Sequence, residues 1–322
     1  MKRIIALGIA VLVVVLIWTG VWFYAASEIK KSVAMMAEAD GVTNPKITCG
    51  DLSVGGFPFR FDVACSDAVA VSGDVRAELA ELRGSVLVYQ PTLLRFWARS
   101  PLNLRDEFTG SRSTLSFSSL EMSARFKDWR IDRVSLVGDQ LKWADALFAD
   151  AVIAEAAHLE THLLDIPEAH QADADLAALA SFAKIEGLFV PGLAINAGTV
   201  SLEAEMTGLP DDVRAFAEPG MIERFRDTRG QLKIVSLKAE DGENFVDAKG
   251  NAGLDDQARV DGQVTLKSRG LVERLEGLFD PGMKPLIAGS PAADGSYANT
   301  LFIRAGVFAS GVVPLFVIPP LL

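Results

Sequence analysis

The segment His158-Leu159-Glu160-Thr161-His162 holds two of the chain's three histidines around one glutamate. On a strand, residues i, i+2 and i+4 share a face. His158, Glu160 and His162 would then line up, with Leu159, Thr161 and Leu163 turned to the core. Two imidazoles and a carboxylate are the ligand types of a zinc-like centre, which makes these three candidate metal ligands. No fourth ligand or supporting shell is evident, so the reading adopted is the solvated face of an amphipathic strand, with no metal and no cofactor. The chain has no glycine-rich dinucleotide or phosphate loop, no GxSxG elbow and no HExxH helix. Asp211-Asp212 and Asp255-Asp256 stand at turns or helix starts, where acids have local reasons to be. No acid–base pair can be picked, and a non-enzymatic role is expected, with a metal-dependent hydrolase as a remote alternative.

Residues 95–133 differ from the rest. Arg95, Arg99, Arg105, Arg112, Arg125, Lys127, Arg130 and Arg133 stand against five acids, with Trp97 and Trp129 among the interleaved aromatics. Such a basic-aromatic patch suits anionic headgroups or an acidic partner, which makes a scaffold that recruits envelope proteins the second functional reading. The plainer account is solvated strand faces with aromatics in the core. Nucleic acid is excluded as a partner, because 31 basic against 42 acidic residues leave a net charge of −11, where phosphate binding needs clustered cations.

Cys49 and Cys65 are the only cysteines. In an oxidising compartment they can form a disulfide that closes a loop of about 15 residues and contributes ~3 kcal/mol; reduced, buried thiols are the alternative. The β-prone runs 46–54 and 59–72 flank Gly55-Gly56-Phe57-Pro58, which reads as a hairpin turn. Centring that turn at Phe57 sets Cys49 opposite Cys65. Phe57, Phe59, Phe61, Val63 and Cys65 alternate with Pro58, Arg60 and Asp62, so one face is apolar. The motif Gly55-Gly56-Phe57-Pro58-Phe59-Arg60 is either a recognition or lipid-dipping tip, or a tight hairpin whose aromatics fill the core. The second reading is adopted.

These residues must be positioned by elements, and the first is apolar. Residues 4–26 carry no charge, and a helix of that length spans about 34 Å, enough for a ~30 Å hydrocarbon core. Lys2 and Arg3 precede it, and Trp18, Trp22, Phe23 and Tyr24 cluster at its exit. The positive-inside bias predicts a cytoplasmic tip over 1–3, a retained anchor over 4–26, and a body over 27–322 across the membrane. A cleaved signal peptide is disfavoured by the length of the run. Freed of Lys2 and Arg3, the exported body has 29 basic against 42 acidic residues. A short helix continues to Gly41. Alternating patterns predict strands at 84–90, 113–126, 131–137, 151–164, 193–206, 231–239, 245–254 and 258–267. Helices are predicted at 173–186, 210–226 and 270–279. The apolar C-terminal run is broken by Pro314, Pro319 and Pro320, and predicts a closing hairpin over 300–308 and 311–318. The fold class expected is α+β and β-rich: a large curved antiparallel sheet covered by a few helices and tethered by one membrane helix, with a division into two lobes near 165–190 as an option.

The order anchor, Cys49, Gly-Gly-Phe-Pro-Phe-Arg-Phe, Cys65, then Gly250, Asp261-Gly262 and the Pro/Gly-rich apolar C-terminus resembles the bacterial family filed as domain of unknown function 2125, seen mainly in alphaproteobacteria. The resemblance runs from about residue 5 to the end. It implies a periplasmic protein anchored in a Gram-negative inner membrane, and it implies no activity. In architecture alone the chain is similar to AsmA-like envelope proteins, which are linked to lipid handling. Binding of a lipid or other apolar ligand, or support of envelope assembly, is the leading expectation.

Overall fold

The computed structural model describes residues 2–321 apart from 43, 149, 218–219, 271–273 and 275–281. Helix α1 (Lys2–Ala37) opens the chain and contains the uncharged run, so the stretch expected to continue the anchor is one unbroken helix with it. It is long and apolar enough to cross a membrane. After it the chain is almost all strand, every ladder is antiparallel, and two compact units form: 1–121 with 144–151, and 122–143 with 152–322.

The first unit contains α1 and the strands β1 (Lys46–Thr48), β2 (Asp51–Gly55), β3 (Arg60–Ser72), β4 (Val75–Leu87), β5 (Gln90–Asp106) and β6 (Arg112–Ser116). β1 and β2 both pair with β3, and β3, β4, β5 and β6 follow as a meander. Gly55 faces Asp62, so the turn is centred between Pro58 and Phe59 rather than on Phe57. Cys65 therefore faces Leu52, not Cys49. Cys49 sits instead in the break between β1 and β2. There Gly50 N donates to Ser66 O, and Asp67 takes a left-handed φ of 47°. This local distortion still brings Cys49 within a Cα separation of 5.2 Å of Cys65, and the disulfide forms.

β7 (Ser119–Lys127) and β8 (Arg130–Asp145) are followed in the second unit by β9 (Ala151–Asp165), β10 (Leu176–Val190), β11 (Ile195–Pro210), β12 (Gln231–Asp241), β13 (Asn244–Leu254) and β14 (Val260–Arg269). The helix expected over 173–186 is instead β10. Its alanines favour a helix in isolation, but β10 is hydrogen-bonded on both sides, to β9 and to β11. Leu176, Ala177, Ala178 and Leu179 are all buried, where small side chains admit close packing. The β9–β10 ladder runs from Asp165–Leu179 to Glu155–Phe189. That continuity removes any lobe boundary near 165–190, and the passages between units fall at 121/122, 143/144 and 151/152.

The helix expected over 210–226 is a 3-10 turn (Val213–Ala217) and a short α2 (Met221–Asp227), in keeping with the break at Pro219-Gly220. The helix expected over 270–279 lies almost wholly outside the described residues. α3 (Lys284–Ala288) and β15 (Ser290–Pro291) lead to three closing strands, β16 (Tyr297–Arg304), β17 (Val307–Ser310) and β18 (Val313–Val317), where a two-stranded hairpin was expected. The extra turn falls at Ala305-Gly306, both with positive φ, 50° and 79°. The fold class stands: β-rich, antiparallel, with three helices among the described residues.

The Cys49–Cys65 link, 16 residues apart in sequence, ties the β1–β2 break to β3. Replacing both cysteines by serine should lower unfolding stability by about 3 kcal/mol. Denaturant titration of the full chain in detergent reads this directly, and unchanged midpoints would show that the link constrains little.

Candidate functional site

In the first unit the Gly-Gly-Phe-Pro-Phe-Arg turn is held by the helix. Trp18 Nε1 donates to Pro58 O and Trp22 Nε1 to Arg60 O, each at 3.1 Å. A buried indole N–H needs an acceptor, and the tip's carbonyls supply one to each. Trp22 is among the most buried side chains of the helix; it stacks on Phe61 at 5.3 Å and meets Phe57 edge-on at 5.5 Å. Gly56, at φ 95°, is required here, since a Cβ would lie 2.7 Å from Arg60 Cγ and 2.8 Å from Arg60 O. Of the alternating aromatics expected to fill the core, only Phe61 does so. Phe57 and Phe59 remain exposed.

Beyond this contact, α1 and the sheet face enclose an apolar groove of about 350 Å³. Its sheet wall is three ladder rows: Leu52–Cys65–Leu82, Val63–Gly84–Phe96 and Phe61–Val86–Leu94. The middle row is hollow because Gly84 has no side chain, and the Phe96 ring leans over it, 3.2 Å from where a Cβ would stand. The helix wall is Ile29, Val33 and Met36, spaced i, i+4 and i+7 on the face that carries Trp22 and Ala26. The disulfide sulfurs belong to the lining residues as well. The opposite face of the same strands is polar. Arg60 pairs with Asp62, which accepts from Ser85; Glu81 pairs with Arg83 and Arg99. The Arg83 hydrogen bond holds the Glu81 carboxyl below its usual range, against a smaller opposing cost of burial.

The basic-aromatic run divides between the units. Arg95, Trp97 and Arg99 lie on β5 of the first. Arg125, Lys127, Trp129 and Arg130 belong to the second. There Arg130 pairs with Asp211 at 2.8 Å and the Arg214 guanidinium sits 4.6 Å over the Trp129 ring. The run is thus not one site within either unit.

His158, Glu160 and His162 do share a face of β9, as their spacing requires, and each is engaged by neighbours. His158 Nδ1 lies 2.7 Å from Asp139, and His162 Nδ1 lies 2.9 Å from the Ser135 hydroxyl. His162 also stacks on Phe182, and Lys184 lies opposite Glu160. No group of three potential ligands able to hold a metal occurs among the described residues. The Asp139 hydrogen bond raises the His158 pKa above its ordinary value, helped by the charges of Asp139, Glu160 and Glu186 and opposed by desolvation.

Sequence reasoning found the tip, the disulfide and the interfacial tryptophans separately, but not the helix–tip hydrogen bonds or the groove. The i, i+4, i+7 series at Ile29, Val33 and Met36 was the available signal: an apolar stripe on a helix already past its uncharged run needs something to cover it.

A helix long and apolar enough to cross a membrane, joined to antiparallel β units with one disulfide, defines the class of this β-rich protein by its form. The chain belongs to the family described as "Uncharacterized protein conserved in bacteria (DUF2125)", whose model matches residues 22–319. The match begins at Trp22 and so takes in the helix end, the tip and both cysteines. No curated protein and no solved structure matches the chain.

Because the folded pKa of His158 is raised, its pairing with Asp139 favours the fold fully below the ordinary histidine value and loses that contribution as pH climbs through the raised one. Histidine NMR titration should show His158 titrating above the usual ~6.5. Asp139→Asn should bring it down, and an unmoved value would assign the shift elsewhere.

Proposed function

We propose that this protein is anchored in the inner membrane of a Gram-negative cell, with its N-terminus in the cytoplasm and its body in the periplasm, and that it holds the acyl portion of a lipid in the groove of the first unit without a chemical step. The groove carries this reading. Its volume of about 350 Å³ falls in the range of small-ligand sites, roughly 300–1,000 Å³. Its walls offer carbon and sulfur almost throughout, with no cluster of polar groups that would select a polar ligand. One wall is the extension of the helix that is apolar enough to cross a membrane. The disulfide supports an oxidising compartment, and the basic flank at Lys2 and Arg3 supports the orientation.

Purified full-length chain, carried through detergent exchange and analysed for extracted lipid, should retain one tightly held acyl lipid. Leu82→Trp fills the groove from the sheet side and Val33→Trp from the helix side. Both leave residues 4–26 and their annular lipid untouched, and both should release the retained lipid. Absence of lipid from the wild-type chain, or equal retention in both variants, would overturn the proposal.

A further inference from the structure

The Gly56–Arg60 tip has a fixed depth relative to α1, and the length of α1 states what that depth is. Residues 3–17 are exposed throughout, a stretch of about 22 Å at 1.5 Å per residue. A hydrocarbon core of ~30 Å needs about 20 residues, which counted from Ile4 reaches Phe23. The span is completed only by residues 18–23, and those are the residues that hold the tip. Trp18 donates to Pro58 O and Trp22 to Arg60 O, and the Phe23 ring stacks 6.1 Å from Phe57. Resting on the reading of α1 as membrane-spanning, we propose that the tip and the adjoining Val88-Tyr89 turn of β4–β5 enter the lipid leaflet on the body's side, beside the helix. The bilayer itself is then the partner of their exposed aromatics.

Two further observations carry the same conclusion. Phe57, Phe59 and Tyr89 are 47%, 64% and 75% exposed. They lie on two turns joined to each other, because Val88 N donates to Phe59 O at 2.9 Å. Aromatic side chains left bare at the exit of a spanning helix fit the interfacial belt. Four of the tip's five carbonyls are also engaged within the protein. Gly56 O accepts from Arg60 N, Pro58 O from Trp18, Phe59 O from Val88 N and Arg60 O from Trp22, and proline has no N–H to satisfy. Irregular backbone at membrane depth is tolerated only when its polar groups find partners within the protein. Arg60, ion-paired with Asp62 at 2.6 Å, has a stem suited to the apolar boundary and a head suited to phosphates.

The same unit supplies a control. Phe108 is 84% exposed, but it stands in the β5–β6 turn at the other end of β5, about 50 Å along the strand from Tyr89 at ~3.3 Å per residue. Equal exposure without proximity to α1's exit predicts no lipid contact there.

The test uses the wild-type full chain in vesicles of phosphatidylethanolamine and phosphatidylglycerol that contain a diazirine-bearing phospholipid. After photolysis, adducts are mapped by peptide mass spectrometry. Labelling within residues 4–23 together with Phe57, Phe59 and Tyr89, and none at Phe108, is expected. Labelling of the helix without the two turns overturns this inference and leaves the anchor standing. Labelling of neither overturns the inference and the membrane-spanning reading with it. Adducts on groove residues should vanish in Leu82→Trp while those on the turns persist, so a failure of the lipid-holding groove is scored separately.

Discussion

The indole of Trp22 is the contact on which the first unit depends. A long helix has no intrinsic reason to lie against a sheet, and the polar edge of an indole is costly to bury alone. Trp22 settles both at once: its ring stacks on Phe61 and its N–H bonds Arg60 O. The two acts are separated by one residue along β3, so the strand can adopt only one position and one rotation against α1. Trp18 repeats the hydrogen bond four residues earlier, on the same helix face. The path of α1 past the sheet follows from this junction, and so does the gap further along, where Ile29, Val33 and Met36 look across at β3, β4 and β5 without touching closely enough to fill the space.

That gap persists because of the sheet's own composition. Strand periodicity assigns each residue to one of two faces, and at the tip end of β3 and β4 the division is sharp, with Arg60, Asp62, Glu81 and Arg83 on one side and Phe61, Val63, Cys65, Leu82 and Val86 on the other. A sheet of this kind must cover its apolar face, and α1 covers it only along one stripe. Gly84 takes the middle row out of contact and Phe96 leans into the vacancy without closing it. A side chain at Gly84 would press on the Phe96 ring, which lies 3.2 Å from where its Cβ would stand. The groove is therefore written in one missing side chain and in the angle set by two tryptophans.

How much of this could be read in advance differs by element. The uncharged run, the two-cysteine hairpin and the alternating strands of 245–269 were legible, because each rests on a local pattern with one physical meaning. The strand at 176–190 was not, since alanine and leucine favour a helix locally and only pairing with β9 and β11 overrules them. β5, the longest strand, was hidden by its own arginines and two prolines, which drew attention to charge rather than to the alternation of Leu94 and Phe96. Register at the tip failed by three residues, Cys65 facing Leu52 where Cys49 was expected, because the Gly-Gly-Phe-Pro run fits more than one turn centre and the turn closes between Pro58 and Phe59. The site was the least legible part. Its two walls lie far apart in the chain, and nothing in either announces the other.

The order of the strands has a consequence for how such a chain becomes structured. From β3 to β6 and again from β9 to β14, each strand pairs with the one before it in sequence. Contacts between neighbours close short loops, which cost little entropy and favour fast formation. A chain delivered from one end, with α1 first, meets each new strand's partner already in place. Growth can proceed by accretion, edge by edge, with each unpaired edge serving briefly as the template for the next arrival and never waiting for a distant segment.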